Sequence, residues 1–471
     1  MSGEKSSKKR TFKMPHVYVL LSVILIIVAL CTYAIPAGVF DRVQDPGTGR
    51  MLVDPASFHT VEKSPVNLFK LAVAIPKGMA ASVSIMMLVV LVVAAFEIVT
   101  KTGAFDSGIT HMMKRSQGKE SFIVAVITVM FASIGAFLGW AEGTLVFVPL
   151  GVSLARAMGY DALMGAGMVL LGTAAGFTSG VLNIYTTGIA QAISGLPLFS
   201  ALGFRMIGFC LFTLATILFL ISYGKKIKNN PSASLIYELE MSAAKSEEQT
   251  KDLVFTGRHR LIMLTVLLGF ITVVIGTTKL GWYLNEITAV FILVGVVSGF
   301  IGKMSPNDMA LNFAQGAKNI IPAALTIGIA RSVLVVMEEG KILDTVVHGL
   351  ASSLHGLPTV GIALGIFLIV SALNFFIISA SGKAVTMMPV LAPLADILGI
   401  NRQVVVIAFQ YGDGFTNWFW PTSAITMAGL AMAGGIPWEK WARWCFRLIL
   451  VWMLTAAVLV TIAQVMGVGP F

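Results

Sequence analysis

The sequence predicts an all-α polytopic membrane protein built as an inverted repeat, each half carrying one re-entrant hairpin and one discontinuous helix. Three observations predict it. Of the 471 residues, 56% are hydrophobic and only 12% charged, with a mean hydropathy of +0.87, whereas a soluble domain carries about 25% charged residues. Apolar runs of about 18 residues or more recur along the chain, each long enough to cross a hydrocarbon core of roughly 30 Å as a helix. Glycines, prolines and one acid also keep step between the halves. Gly78 with Gly316, Asp106 with Asp344 and Gly176 with Gly414 share one offset; Pro149 with Pro389, Gly159 with Gly399, Gly172 with Gly412 and Pro197 with Pro437 share an offset two residues longer.

The elements follow in order. Residues 1–65 hold a first transmembrane helix, about Pro15 to Ile35, and an external segment whose acids slightly outnumber its bases. Its uncharged stretch from Met14 to Phe40 is too long for a signal-peptide core, so the helix is expected to remain, with the N-terminus cytoplasmic. Residues 66–223 form the first repeat. Within it, 66–77 reads as an interfacial piece and Met79 to Thr100 as a crossing toward a loop with Lys101, Lys114, Arg115 and Lys119. The hairpin spans 121–158 around the tip FLGWAEGT, because the arm between Glu142 and Arg156 offers about 13 uncharged residues, roughly 20 Å of helix, which is short for a crossing. A helix over 161–193 follows, interrupted at GFTSG, and Ala201 to Tyr223 return to KKIK.

Residues 224–258, rich in Ser, Lys and Glu, read as a cytoplasmic linker, and 259–304 as two connecting transmembrane helices. The second repeat, 305–471, has an interfacial piece at 305–319, a crossing from Ile320 to Val336, a hairpin over 357–397 around ISASGKAVT, a helix over 402–434 broken at YGDGFTNW, and a last crossing that ends outside. The second half opens with one span the first lacks. Matched segments therefore start on opposite faces, the inverted arrangement of many secondary transporters.

The net charge of +10 does not imply nucleic acid, since the bases cluster beside apolar runs at SGEKSSKKRTFK, KKIK and EKWARWCFR and report orientation in a bilayer. The expected partners are lipid and a small-molecule substrate, and the expected location is the bacterial inner membrane. Cys31, Cys210 and Cys445 lie in apolar segments without disulfide or zinc spacing. None of the six histidines falls in a predicted span, and no phosphate-binding loop is present, so a histidine proton relay and ATP drive are disfavoured.

Glycine-rich breaks at membrane depth leave backbone groups unpaired, at several kcal/mol each, unless something replaces the lost helical bonds. A substrate or ion is the expected replacement, with N–H groups of half-helices facing anions and freed carbonyls facing cations. The candidate site therefore gathers the first tip (Trp140, Glu142, Gly143, Thr144), the first break (Gly176, Thr178, Ser179, Asn183), the second tip (Ser379, Ser381, Gly382, Lys383) and the second break (Gly412, Asp413, Gly414, Thr416, Asn417, Thr422). Charges at membrane depth mark ion paths or ligand counter-ions, which singles out Glu142, Lys383 and Asp413. The competing reading is a salt bridge of Lys383 with Asp413 or with Glu142. Close helix packing is the bland reading of the glycines. No cofactor is expected beyond a coupling Na⁺ at the breaks or H⁺.

An intramembrane aspartyl protease is the alternative from another class, on GYD at 159–161 and YGD at 411–413. It fails because Gln410 stands where that class has a glycine and Asp161 falls at a helix start. A non-enzymatic carrier accounts for both halves.

The strings KMPHVYVLL, IPAGVFDR, SFHTVEKSPV, AIPKGM, GWAEGT, PLADILGI, GDGFTNWFWPTSAI and AMAGGIPWEKW resemble the YfcC branch of the C4-dicarboxylate carrier DcuC family over essentially the whole chain. The resemblance implies an elevator-type transporter, commonly a homodimer, within the ion-transporter superfamily. The branch is associated with arginine–ornithine antiport, the wider family with succinate and fumarate. The family tip runs Gly-Met-Ala-Glu-Glu; here Glu142 carries over and Gly143 replaces the second acid. With two acids against one lysine in the convergence region, a zwitterionic or cationic amino acid is favoured, its amines near Glu142 and Asp413. The alternative substrate is a dicarboxylate coupled to H⁺ or Na⁺.

Overall fold

The computed structural model describes residues 17–44, 51–54, 57–104, 107, 118–247, 255–280, 282, 284–354 and 356–469, and is mostly helical. Asp106, the loop bases Lys114 and Arg115, and His16, His111 and His355 lie outside the described residues. Seven helices among those described are long and apolar enough to cross a membrane: Val83–Lys101, Glu120–Leu138, Ala162–Ser179, Leu202–Asn229, Leu284–Ile301, Pro306–Glu339 and Trp438–Val465.

The chain opens with α1 (Val17–Ala34) and then two antiparallel strand pairs, β1 (Gly38–Val39) with β4 (His59–Thr60) and β2 (Arg42–Gln44) with β3 (Met51–Val53). Strands of two or three residues are too short for alternation to register in a sequence. Asp344 holds the segment down, accepting from Phe40 N at 3.1 Å and from Arg42 Nη2 at 3.2 Å. Helices α2 (Leu68–Ala81) and α3 (Val83–Lys101) are separated only by Ser82. In the second half the interfacial piece and crossing expected from 305 to 336 are instead one helix, Pro306–Glu339, of 34 residues. Ser305 starts it, its Oγ accepting from Asp308 N at 3.1 Å. Pro322 removes one interior backbone donor, and packing against both α2 and α3 carries the helix through it.

Between these lie the elements that frame the site. Helix α4 (Glu120–Ser133) continues as a π turn to Leu138 and stops at Gly139, whose φ of 61° suits glycine. A 3₁₀ turn over Glu142–Phe147 leads into α5 (Val148–Ala157). Helix α6 (Ala162–Ser179) is buried at every position and ends at Gly180, also at φ 61°. After Asn183 the chain resumes as a π turn and α7 (Ile189–Ile193), and α8 (Leu202–Asn229) follows.

The polar linker is partly helical. A turn at Pro231–Ala233 precedes α9 (Tyr237–Glu247), and α8 itself runs six residues beyond Tyr223. Helix α9 is tied to the α5–α6 corner: Glu240 accepts from Arg156 Nε at 3.0 Å and from Ala162 N at 3.1 Å. Asp161, the N-cap of α6, accepts from Ser234 Oγ at 2.6 Å, Tyr223 Oη at 2.5 Å and Met164 N at 2.9 Å. Burial pushes the Asp161 carboxyl above the usual range, against the lowering effect of those bonds. Glu240→Gln should loosen α9 by about 1 kcal/mol, roughly fivefold in its open population. Faster limited proteolysis within α9 would record this.

The second half continues with α10 (Gly257–Lys279), α11 (Leu284–Ile301), α12 (Pro306–Glu339), α13 (Leu343–Ser352), α14 (Thr359–Leu373) and α15 (Ala380–Ile397), whose N-cap is Ser379. Helix α16 (Arg402–Gly414) is buried from Gln403 to its end, a 3₁₀ turn covers Thr416–Trp418, and α17 (Ala424–Met432) and α18 (Trp438–Val465) complete the chain. Helices α6 and α16 meet at Gly414, where a Cβ would fall 2.4 Å from Thr178 Cα.

Candidate functional site

The two interruptions are capped by the protein itself. At the first, Gln410 of α16 donates through Nε2 to the Phe177 carbonyl at 2.7 Å, and its Oε1 accepts from Thr187 Oγ1 at 2.9 Å. One side chain of the second half thus bridges both sides of the break in the first. Asn183 Oδ1 starts the next segment by accepting from Tyr185 N (3.0 Å) and Thr186 N (3.3 Å). At the second break, Asn374, which ends α14, donates through Nδ2 to the carbonyls of Gly412 (3.1 Å) and Asp413 (2.7 Å) and to Thr416 Oγ1. Asn417 Nδ2 adds a bond of 2.9 Å to the Asp413 carbonyl. These bonds take the place that sequence reasoning gave to a substrate or ion. Gln410→Leu would leave the buried Thr187 hydroxyl without its acceptor and the Phe177 carbonyl with only its bond from Gly180 N, a loss of about 1–3 kcal/mol. Faster amide exchange at Thr186 to Ile189 would register it.

Five predicted residues gather around a cavity of about 110 Å³: Trp140 and Glu142 from the first tip, Ser379 and Ser381 from the second, and Asn417 from the second break. That volume is several times what one water needs. Gly139, Ala141, Phe177, Tyr185, Ile378, Ala380, Trp418 and Ile425 complete the wall. Tyr185 and the apolar members escaped sequence reasoning, because an aromatic or aliphatic residue in an apolar run carries no distinguishing signal there.

Gly143, Thr144, Gly176, Thr178, Ser179, Asn183, Gly382, Lys383, Gly412, Asp413, Gly414, Thr416 and Thr422 do not line this cavity. Several serve its frame. Thr144, Thr178 and Ser179 donate their hydroxyls to carbonyls of their own helical turns, at Ala141, Ala174 and Gly176. A Cβ on Gly176 would fall 1.7 Å from the Ala132 carbonyl oxygen, so α4 and α6 touch backbone to backbone. Gly143 lies under the Trp140 indole, where a Cβ would sit 1.7 Å from Cε2. The Trp140 ring thus takes the space that a side chain at position 143 would need.

The charges divide unequally. Lys383 Nζ lies 2.6 Å from Asp413 Oδ1, and both side chains are wholly buried. The lysine thus pairs with Asp413 and leaves Glu142 alone. Glu142 is partly buried, is the one charged residue of the cavity wall, and has no ion-pair partner among the described residues. Behind the first tip, a Cβ on Gly139 would fall 2.4 Å from Asn183 Oδ1, and Asn183 Nδ2 has no protein acceptor. The wall accordingly offers one uncompensated carboxylate, two serines and an amide, with one buried amide donor directly behind it.

A family model described as the C4-dicarboxylate anaerobic carrier DcuC matches residues 14–465. The chain is 30% identical to an Escherichia coli K12 protein named "Putative basic amino acid antiporter YfcC", over 98% of this chain and 99% of that one. It is 27% identical to an uncharacterised Haemophilus influenzae protein, over 98% of each. Among solved structures, the YdaH transporter of Alcanivorax borkumensis aligns with 97% of this chain and 100% of its own at 14% identity and a TM-score of 0.41. A match over nearly the full length, together with the YfcC similarity, means that the chain belongs to the DcuC family of membrane transporters.

Proposed function

We propose that this protein is a secondary carrier that exchanges basic amino acids, of the arginine-for-ornithine type, through a site between its two tips. The observation that carries the reading is Glu142: a carboxylate on the cavity wall without a cation of its own. A dicarboxylate there would face like charge; a guanidinium or ammonium would complete the pair. The name of the E. coli relative points the same way. Exchange of one cation for another also avoids the membrane-potential term of about 2.3 kcal/mol per charge per 100 mV.

The motion is proposed to be of elevator type on an inverted repeat. In support, a Cβ on Gly78 would fall 2.3 Å from Ser332 Oγ, and one on Gly316 would fall 2.8 Å from Ala94 Cα. Gly316 is the repeat mate of Gly78, and Ser332 stands at the same offset from Ala94. One contact thus occurs twice with its partners exchanged, as a two-fold axis would generate. An inner-membrane location with a cytoplasmic N-terminus and an external C-terminus, and a homodimer, belong to the same proposal.

Counterflow in proteoliposomes tests it. Labelled arginine should enter vesicles preloaded with ornithine or lysine and not those preloaded with a neutral amino acid or succinate. Entry driven by internal succinate would overturn the substrate class in favour of the dicarboxylate reading.

A further inference from the structure

We propose that the Lys383 ammonium is the resident cation of the second helix break, so that no sodium ion is bound there during transport. The inference deepens, and rests on, the reading of the chain as a carrier. Once Asn374 and Asn417 have capped the freed carbonyls, the second break still holds buried acceptors without donors: Asp413 Oδ2, Asn374 Oδ1 and Asn417 Oδ1. A carboxylate oxygen and two amide oxygens form an all-oxygen set of the kind that hard cations select. Asn374 and Asn417 bond to the Asp413 backbone through Nδ2, so both amides that carry these oxygens lie beside that residue.

The cation beside this cluster is Lys383 Nζ, at 2.6 Å from Asp413 Oδ1. An ammonium carries the charge of a sodium ion and, being covalently attached, cannot leave. A second monovalent cation on the free oxygens would stand against its charge in a wholly buried setting, where screening is weak. The first break is furnished differently. Gly143 occupies the position matching Lys383, by the offset that pairs Pro149 with Pro389, and neither Thr173 nor Ala175 offers an acid to match Asp413. There the buried groups without partners are the Asn183 Nδ2 donor and the Thr186 hydroxyl. One break is thus left to receive an acceptor, and the other already carries its positive charge. Because Lys383 rides on α15 and Asp413 on α16, the same charge also ties the second hairpin arm to the broken helix without a diffusible ion.

Thermal unfolding of the purified full chain in NaCl, KCl and choline chloride at equal ionic strength is the test, and it needs no knowledge of the substrate. The wild type should unfold within about 1 °C in all three salts, and Lys383→Arg should behave likewise. Lys383→Ala opens the pocket beside Asp413 and should gain a saturable, Na⁺-specific rise of about 3 °C or more. The double variant Lys383→Ala/Asp413→Asn should lose that response. Na⁺-specific stabilisation of the wild type would overturn the proposal whatever the variants do. So would a folded Lys383→Ala indifferent to Na⁺. Failure of arginine counterflow with an intact salt pattern would count against the substrate assignment and not against the resident cation.

Discussion

Glu142→Gln should lower counterflow of arginine by roughly 30-fold to 4,000-fold at subsaturating substrate while leaving the protein folded. Removing one partner of a desolvated charge pair costs about 2–5 kcal/mol, and each 1.4 kcal/mol is tenfold in affinity. The loss should fall mainly on apparent affinity, because the carboxylate has no ion-pair partner among the described residues to lose. Glu142→Asp, which keeps the charge and shortens its reach, should lose less than Glu142→Gln. Uptake rates against arginine concentration, with size-exclusion profiles as the folding control, measure both. Unchanged arginine affinity in Glu142→Gln would remove the residue from the site.

The second large effect concerns stability. Lys383→Met leaves the Asp413 carboxylate buried and uncompensated, and should cost about 3–5 kcal/mol in sodium-free buffer, as is usual when one half of a buried ion pair is removed. Asp413→Asn should cost a similar amount by stranding the lysine. The double variant should recover much of that loss, since the penalty arises from the unpaired charge more than from the pair itself. A double-mutant cycle on denaturation midpoints gives the coupling directly. Additive losses would mean that the two groups do not depend on each other.

Much of the architecture was legible because it is written in composition and glycine placement. Apolar runs marked the long helices, and the frames GTAAGFTSG and YGDGFTNW marked where α6 and α16 stop, at Gly180 and Gly414. The strands after α1 were not legible, being two or three residues long. The unbroken α12 was hidden by its polar N-terminal half and by Pro322, whose effect tertiary packing overrides. Helix α9 was hidden because a Ser/Lys/Glu-rich segment has no apolar stripe strong enough to tell a docked helix from a free linker.

At the site, residue types were more legible than their partners. Both serines of the second tip and the acid of the first meet at the cavity, as Asn417 does. Asp413 and Lys383 belonged to the same candidate set, yet their separation of 2.6 Å removes both charges from the reckoning for a substrate amine. That choice, between Lys383–Asp413 and Lys383–Glu142, depends on how α15 packs on α16, which no local pattern encodes. Gln410 and Asn374 were passed over, although a lone amide inside an apolar run is itself a signal. Buried amides are bonded to something, and near a helix break the nearest unpaired carbonyl is the natural partner.

The span of Gln410 between the two halves reaches beyond the site. Its side chain completes a break that lies 223 residues earlier in the chain, at Thr187, so the earlier half does not contain all the groups that its own buried core requires. A gene cut between the halves should therefore yield two polypeptides that are less stable apart than together. Co-expressed, they should associate in the membrane, and the first should be degraded when made alone. The leading half should therefore reach its full stability only once the trailing half supplies Gln410 to the Thr187 hydroxyl and the Phe177 carbonyl.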